Sequence, residues 1–428
     1  AVDANVLIYE RIREELAAGK SLRGSVNAGY EKAWGTIFDS NVTTLIVSVI
    51  LIYMGSGPVK GFGVTLTIGI CASMFTALVV TRLLFDFLLE KNRLQKLKML
   101  SVVKGSSIDF LKHAKGAGIA SAIVLLIALG VGIGGKGKKA LGIDFVGGDA
   151  ITYTFDQDKK VDVAELRPAI EVLKYVGPNG EATIGEDVLI QYQKSLGGAT
   201  ERSERLRITG PLGSGASITA VLKANFADAG FELQSERRVG AVIGKEILKS
   251  AITALVLALF GILIYVGLRF EFSFSVAAVI AVIHDFVVTL GIYILIGGQI
   301  NAPIIAALLT VIGFSINDTI VIFDRIREDL KLGVRGTFRD VINKALNQTL
   351  ARTIITSGTT LLAVMSLVLF GGGVIHDFAQ TLLIGVIVGT YSSIYVASST
   401  VLWWHKGERP KMSTPQAHMG TATVPNVA

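Results

Sequence analysis

The sequence predicts a polytopic α-helical membrane protein with a parallel pseudo-twofold repeat, plus one extracytoplasmic α+β domain of ferredoxin-like order. Three observations predict it. Apolar runs of about 18 residues or more recur along the chain, long enough to cross a ~30 Å hydrocarbon core as helices. Basic residues gather in alternate loops. One polar block, roughly 136–246, carries strand-like and amphipathic patterns that the rest lacks. The composition agrees: 51% of the 428 residues are hydrophobic and 18% are charged, which excludes a string of soluble domains.

In chain order, residues 1–9 read as the end of a helix that starts before Ala1. With no initiator Met and no signal peptide, the chain is expected to be a piece of a longer protein. Residues 1–85 thus hold a partial helix and two complete runs, near 36–54 and 61–85. Residues 86–116 form a basic connector. Its Leu88, Leu94, Leu97, Leu100 and Val103 have roughly helical spacing, predicting an amphipathic helix on the membrane surface. A single run near 117–134 occupies segment 117–135. After the polar block come five runs in 247–405, near 248–268, 274–297, 302–323, 353–371 and 378–404. Residues 406–428, rich in Pro, Ser, Thr, Ala and Gly, predict a disordered tail. Cys71, the single cysteine, permits no intrachain disulfide and is expected to be an inert packing residue.

The net charge of +7 does not point to nucleic acid. Its basic residues concentrate in 11–32, 91–115 and 325–344, whereas 55–60, 297–303 and 371–377 carry one Lys between them. The positive-inside rule puts the first set in the cytoplasm and the second outside, and all eight runs alternate consistently.

Within 136–246, GGDAITYTF reads as a strand and VDVAELRPAIEVLKYV as an amphipathic helix. VLIQYQKSL and ERLRITG read as strands, SITAVLKANFADAGF as a helix and FELQSERRV as a closing strand. That β-α-β-β-α-β order is ferredoxin-like. The block has no Cys/His cluster, nucleophile elbow or phosphate loop, so it reads as a binding or moving part rather than an enzyme.

The repeat is visible directly. IYERIREEL at 8–16 matches IFDRIREDL at 322–330, NVTTLI at 41–46 matches SGTTLL at 357–362, and GFGVTLTIG at 61–69 matches DFAQTLLIG at 377–385. The spacing drifts only from 314 to 316, and both copies leave the membrane on the same side, so the repeat is parallel.

Acids inside apolar helices are expensive and default to functional sites. Asp318 lies six residues before Asp324, about 9 Å inside the charged exit at 1.5 Å per residue. The repeat puts Asp3 one register step from it, so the two acids are expected to face each other across the pseudo-twofold axis. Arg352 begins the next run at similar depth, and Thr349, Arg352, Thr356 and Thr360 share one helix face. Asn5, Asn317 and Thr319 flank the acids as supporting polar groups. An acid–acid–arginine cluster between two bundles suits a proton relay, because the guanidinium can pair with either carboxylate. The plainer readings are an acid capping a helix–helix contact and an arginine snorkelling to headgroups. His284 and Asp285 are possible secondary members of a proton path, with interhelical bonding the favoured role. They are also the only hydrolase-like candidate, and lack a partner in the sequence. Asp39 is expected to be interfacial. No further ligand is placed for a metal site, and no cofactor is expected.

LLTVIGFSINDTIVIFDRIRE at 308–328 resembles the signature of the SecF half of the SecDF family, in the resistance–nodulation–division superfamily. GIDFVGGDAI at 142–151, VGAVIGKEI at 239–247 and LRFEFSFSVAAVIAVIHD at 268–285 agree, and AVDANVLIYERIREE with WGTIFDSNVTTL resembles the end of SecD. The resemblance implies a SecD–SecF fusion entered partway through its fourth helix, in a bacterial cytoplasmic (inner) membrane with 136–246 periplasmic. It further implies a proton-motive-force-driven accessory of the Sec translocon that assists export of unfolded preproteins. Its implied partners are the translocon channel, the motor ATPase, the preprotein and membrane lipid, and its essential charged positions fall on Asp3, Asp318 and Arg352. Sodium is an alternative coupling ion. The alternative function is a proton-coupled exporter of small molecules or lipids of the same superfamily; a purely structural scaffold for the translocon is a third reading.

Overall fold

The structure is a computed structural model. It describes residues 2–55, 58–91, 93–94, 96–97, 107–130, 140–178, 180–185, 187–195, 203–371 and 374–410.

Two helices open the chain, α1 (Val2–Ala17) and α2 (Leu22–Met54). Next come α3 (Pro58–Phe75), a π turn Thr76–Val80 and α4 (Thr81–Glu90) as one continuous rod. The second membrane half contains α5 (Ala114–Gly130), α9 (Ala241–Arg269), α10 (Phe272–Leu295), α11 (Ala302–Lys331) and α12 (Phe338–Phe370). It ends in α13 (Val374–Ser392), a π turn Ser393–Ala397 and α14 (Ser398–Trp404). Among the described residues seven rods are long and apolar enough to span a membrane, and α5 is a shorter apolar helix. The chain is a multi-pass membrane protein.

Burial follows that reading. On α9, Ala251, Ala254, Ala258, Ile262 and Val266 are buried, while Ile252, Val256, Phe260 and Ile264 stand exposed on another face. An apolar exposed face is what lipid accepts and water does not. The repeat is physical as well as textual. Both halves carry a π turn, at Thr76–Val80 and Ser393–Ala397. Gly55 and Gly371 end α2 and α12 in the same way, their N–H groups donating to Leu51 O at 2.9 Å and Leu367 O at 2.8 Å. Beyond the membrane segments, the Glu15 carboxyl is held down to about 2 by hydrogen bonds from Lys20 and Lys32.

The polar block folds as β1 (Gly148–Thr154), α7 (Val163–Glu171), β2 (Lys174–Gly177), β3 (Gly180–Thr183), β4 (Leu189–Ser195), β5 (Ser203–Gly210), α8 (Gly215–Asn225) and β6 (Glu232–Val239). The main sheet has the antiparallel order β4-β5-β1-β6. Setting the β2–β3 hairpin aside, this is the ferredoxin-like arrangement. Ile151, Tyr153, Leu206 and Ile208 from the sheet pack against Leu166 and Ile170 of α7 and Ile218 and Leu222 of α8. Burial pushes the Tyr153 hydroxyl up to about 12, and that hydroxyl lies 2.8 Å from Thr219 Oγ1.

Four expectations are corrected. The helix read through Val176 stops at Glu171, because residues 174–177 pair with 180–183 as a hairpin. Among the described residues of the connector, Leu88 lies in α4, whereas Arg93, Leu94, Lys96 and Leu97 are not helical. Leu97 packs instead against the α1–α2 core, and Phe110 and Leu111 are buried against the other half; Leu100 and Val103 lie outside the described residues. Cys71 is exposed on α3, not packed. The start of the tail is tied down, since Arg409 donates to the carbonyls of Val334 and Gly336; residues 411–428 lie outside the described residues.

The domain joins the bundle through α6 (Ile143–Val146). Gly147 and Gly148 take φ of +81° and +136°, and a Cβ on Gly147 would sit 2.8 Å from the Ala241 backbone, so this turn needs glycine. Asp144 is buried there. Its Oδ1 accepts from Arg237 of β6 at 3.0 Å, and its Oδ2 accepts from the Ala302 N–H that opens α11 at 2.9 Å.

Candidate ion-relay site

α1, α11 and α12 bring the predicted charged residues together between the two halves. Arg352 donates to Asp3 Oδ1 from Nη2 at 2.6 Å and from Nε at 3.1 Å. Asn317 donates to the other oxygen, Asp3 Oδ2, at 2.6 Å. Asp3 is thus held by a guanidinium from one helix and an amide from another. Arg352 is 2% exposed, so its charge is committed to this carboxylate rather than to water or headgroups; the snorkelling alternative does not describe it.

Asp318 is placed differently from the expectation. It is 3% exposed, makes no hydrogen bond among the described residues, and its Oδ2 is buried without a partner. Arg352 gives its hydrogen bonds to Asp3 alone, while its charge and that of Asp3 also act on the Asp318 carboxyl. α11 runs on to Lys331, thirteen residues or about 20 Å beyond it, and Asp324 accepts at 2.7 Å from Thr36 on α2. A buried carboxylate with no donor costs several kcal/mol, or takes up a proton.

The supporting residues divide. Asn317 belongs to the site. Asn5 Oδ1 is buried without a partner and does not reach the acids. Thr319, Thr356 and Thr360 return their hydroxyls to carbonyls of their own helices, Ser315, Arg352 and Thr356. The shared face of Thr356 and Thr360 was legible, but the bonds all three make are local.

His284 and Asp285 form a second buried cluster. His284 Nδ1 lies 2.9 Å from Asp285 Oδ1, and His284 Nε2 lies 3.2 Å from Ser121 Oγ on α5. Asp285 Oδ2 accepts from Ser315 of α11 at 2.5 Å and Ser392 of α13 at 2.7 Å. Gly389 permits this, because a Cβ there would come 3.1 Å from Ser315 Cβ; its absence lets α13 close on α11. The pair read as partnerless is therefore bonded to three other helices. Ser121 in turn donates to Tyr391 at 3.1 Å. Asp39 is buried near a half-exposed end of α9, accepting from Arg269 Nε at 2.6 Å and Tyr265 at 3.0 Å. Among the described residues no group of three or more His, Cys, Asp and Glu could hold a metal ion.

The chain has counterparts among known proteins. Residues 218–407 match the family model described as "Protein export membrane protein SecD/SecF, C-terminal", and residues 1–87 match the MMPL family. A protein translocase subunit SecF of Calditerrivibrio nitroreducens is 41% identical over 309 residues, 71% of this chain and 96% of the relative. The chain belongs to the SecD/SecF family. Protein translocase subunit SecDF of Thermus thermophilus is 37% identical over 94% of this chain, and that of Bacillus subtilis 33% over 97%. The chain spans about half the length of these SecDF relatives, 52% and 57% respectively. It is also similar to the crystal structure of Thermus SecDF, described as a translocon-associated membrane protein, with a TM-score of 0.80 over 95% of this chain and 53% of that one.

Proposed function

We propose that this chain is part of an ion-driven accessory of a Sec-type translocase, assisting preprotein export across the membrane, with Asp3, Asp318 and Arg352 as its proton relay. The observation that carries the reading is the unequal treatment of two acids by one arginine. Arg352 and Asn317 satisfy Asp3, while Asp318 is buried with no hydrogen bond. Proton binding at Asp3 frees the guanidinium to move to Asp318, so occupancy and helix position are linked. One proton crossing 100 mV supplies ~2.3 kcal/mol, enough to shift a two-state equilibrium by tens-fold. α11 transmits the shift, because the helix carrying Asp318 begins on Asp144, which also holds Arg237 of the domain. The names of the relatives favour preprotein over small-molecule or lipid export, and favour the translocon channel as partner. The motor ATPase, the preprotein and lipid are further partners on this reading, which needs no cofactor beyond the ion gradient.

The test uses membrane vesicles carrying the gene's full product, with an imposed proton or sodium gradient and a preprotein substrate. Asp318→Asn and Arg352→Lys should each abolish gradient-dependent export at unchanged protein level. Normal gradient dependence in either variant would remove the relay, and a response to sodium alone would change the ion.

A further inference from the structure

The RIRE strings that reveal the repeat have a structural product of their own. Arg11 and Glu14 of α1 and their repeat mates Arg325 and Glu328 of α11 meet as a four-charge clasp across the pseudo-twofold axis. Within each helix the arginine pairs with its own glutamate: Arg11–Glu14 at 3.0 Å and Arg325–Glu328 at 2.9 Å. Between helices the pairs cross, Arg11–Glu328 at 2.9 Å and Arg325–Glu14 at 3.9 Å. The arginine side chains are 10% and 15% exposed, the glutamates 40% and 33%. These are the two helices that carry Asp3 and Asp318, and the clasp lies seven to eight residues, about 10–12 Å, further toward the cytoplasm.

We propose that the clasp is the cytoplasmic gate of the relay, closed here and opened when α1 and α11 part. This inference rests on the proton-relay reading. Three features support a gate over a fixed brace. First, no charge is stranded when it opens. Each arginine keeps its own glutamate three residues on, so only the crossing contacts are exchanged for water. A buried pair that loses one partner costs several kcal/mol, whereas this layout keeps both states accessible. Second, the helices are not sealed by apolar packing at this level. A cavity of about 20 Å³ lies between them, bordered by Leu7, Arg11, Thr36, Val321 and Arg325, with room for about one water. Third, a cleft of about 550 Å³ is bordered by Glu14, Arg325, Lys344 and Asn347. Residues of the clasp thus border both a wide cleft and a narrow gap. Glu10, paired with Arg13 at 3.3 Å, borders both spaces.

Reversing charge order tests this without deleting any charge. Arg11→Glu with Glu14→Arg keeps the pair within α1 but opposes like charges across both crossing contacts. Making Arg325→Glu and Glu328→Arg as well restores all four contacts with opposite polarity. Vesicles carrying the gene's full product are assayed for collapse of an imposed pH gradient and for gradient-dependent export. The α1 reversal is expected to collapse the gradient faster than the parent and lose gradient-dependent export, and the double reversal to regain both. Parental behaviour of the α1 reversal overturns the gate. So does a double reversal that accumulates to the parental level and still leaks. If the reversals fail to accumulate, Arg11→Cys with Glu328→Cys in a Cys71→Ser background, joined by a reducible bifunctional thiol reagent, holds the gate shut. The unbridged variant, missing one crossing contact, should collapse the pH gradient faster than the Cys71→Ser parent, and the bridge should slow that collapse; collapse at the parental rate without the bridge, or unchanged by it, overturns the gate. Asp318→Asn in the same vesicles separates the two readings. If it keeps gradient-dependent export, the relay falls and the gate with it; if it loses it while the clasp variants behave as the parent, the gate alone falls.

Discussion

Two buried acids of the same bundle sit in opposite circumstances, and that difference is measurable. Asp285 receives two hydroxyls and faces His284, while Asp318 receives nothing. Removing the charge of a satisfied buried carboxylate strands its partners and costs about 3 kcal/mol or more. Removing one without donors ends a desolvation cost instead. Asp285→Asn should therefore lower the melting temperature of the detergent-solubilised protein, and Asp318→Asn should raise it or leave it unchanged despite abolishing gradient-dependent export. A clear drop for Asp318→Asn would mean that its carboxylate has a structural partner in solution. The sequence made part of this legible. Repeat spacing found Asp3, and residue type with depth found Arg352. What it did not carry was which acid the arginine holds, since both lie at similar depth and side-chain direction decides between them. Ser121 was illegible for another reason: it lies 163 residues from His284, and a serine in an apolar helix is too common to signal anything.

At the scale of elements, local pattern succeeded where each helix or strand stood alone, and failed where two short elements compete. Leu166, Ile170 and Leu173 continue a helical spacing toward Val176, yet GPNG at 177–180 is a strong turn signal, and pairing of 174–177 with 180–183 wins the last residues. The start of α11 shows a longer-range version. Asn301 occupies the capping position, but its side chain donates to Gln299 O, and Pro303 has no N–H to offer. The first helical donor, the buried Ala302 N–H, is satisfied by Asp144 from 158 residues away. Losing such a cap costs roughly 1–2 kcal/mol. Asp144→Ala should loosen the first turn of α11 and release Arg237 together, read as faster hydrogen exchange in 300–306 and in 235–239. Unchanged protection in both segments would show that the junction is held by its apolar contacts alone.

For the molecule as a whole, the broken symmetry matters as much as the repeat. The halves share RIRE, the π turns and the glycine ends of α2 and α12, but the position matching Arg352 in the first half is Thr36. Two acids with a single arginine give two arrangements of unequal charge, which is what a gradient can bias. The second half alone, among the described residues, carries a domain. That domain rests on α11 through Asp144, on the end of α10 through Gln191, which donates to Gly297 O at 3.0 Å, and on α13 through Arg207, 3.9 Å from Asp377. Between these last two contacts lies a cleft of about 450 Å³ bordered by Tyr192, Gln193, Tyr293 and His376. If α11 shifts against α10 and α13, the domain must tilt, and the Arg207–Asp377 contact must open or slide. Arg207→Cys with Asp377→Cys in a Cys71→Ser background, joined by a reducible bifunctional thiol reagent, should stop gradient-dependent export and restore it on reduction. The unjoined double variant should export as the Cys71→Ser parent does, because a partly exposed pair at this distance contributes about 1 kcal/mol or less. Export that continues at the parental rate with the bridge in place would show that the domain works without moving on its bundle, and would leave the shift of α11 to act on the substrate path directly.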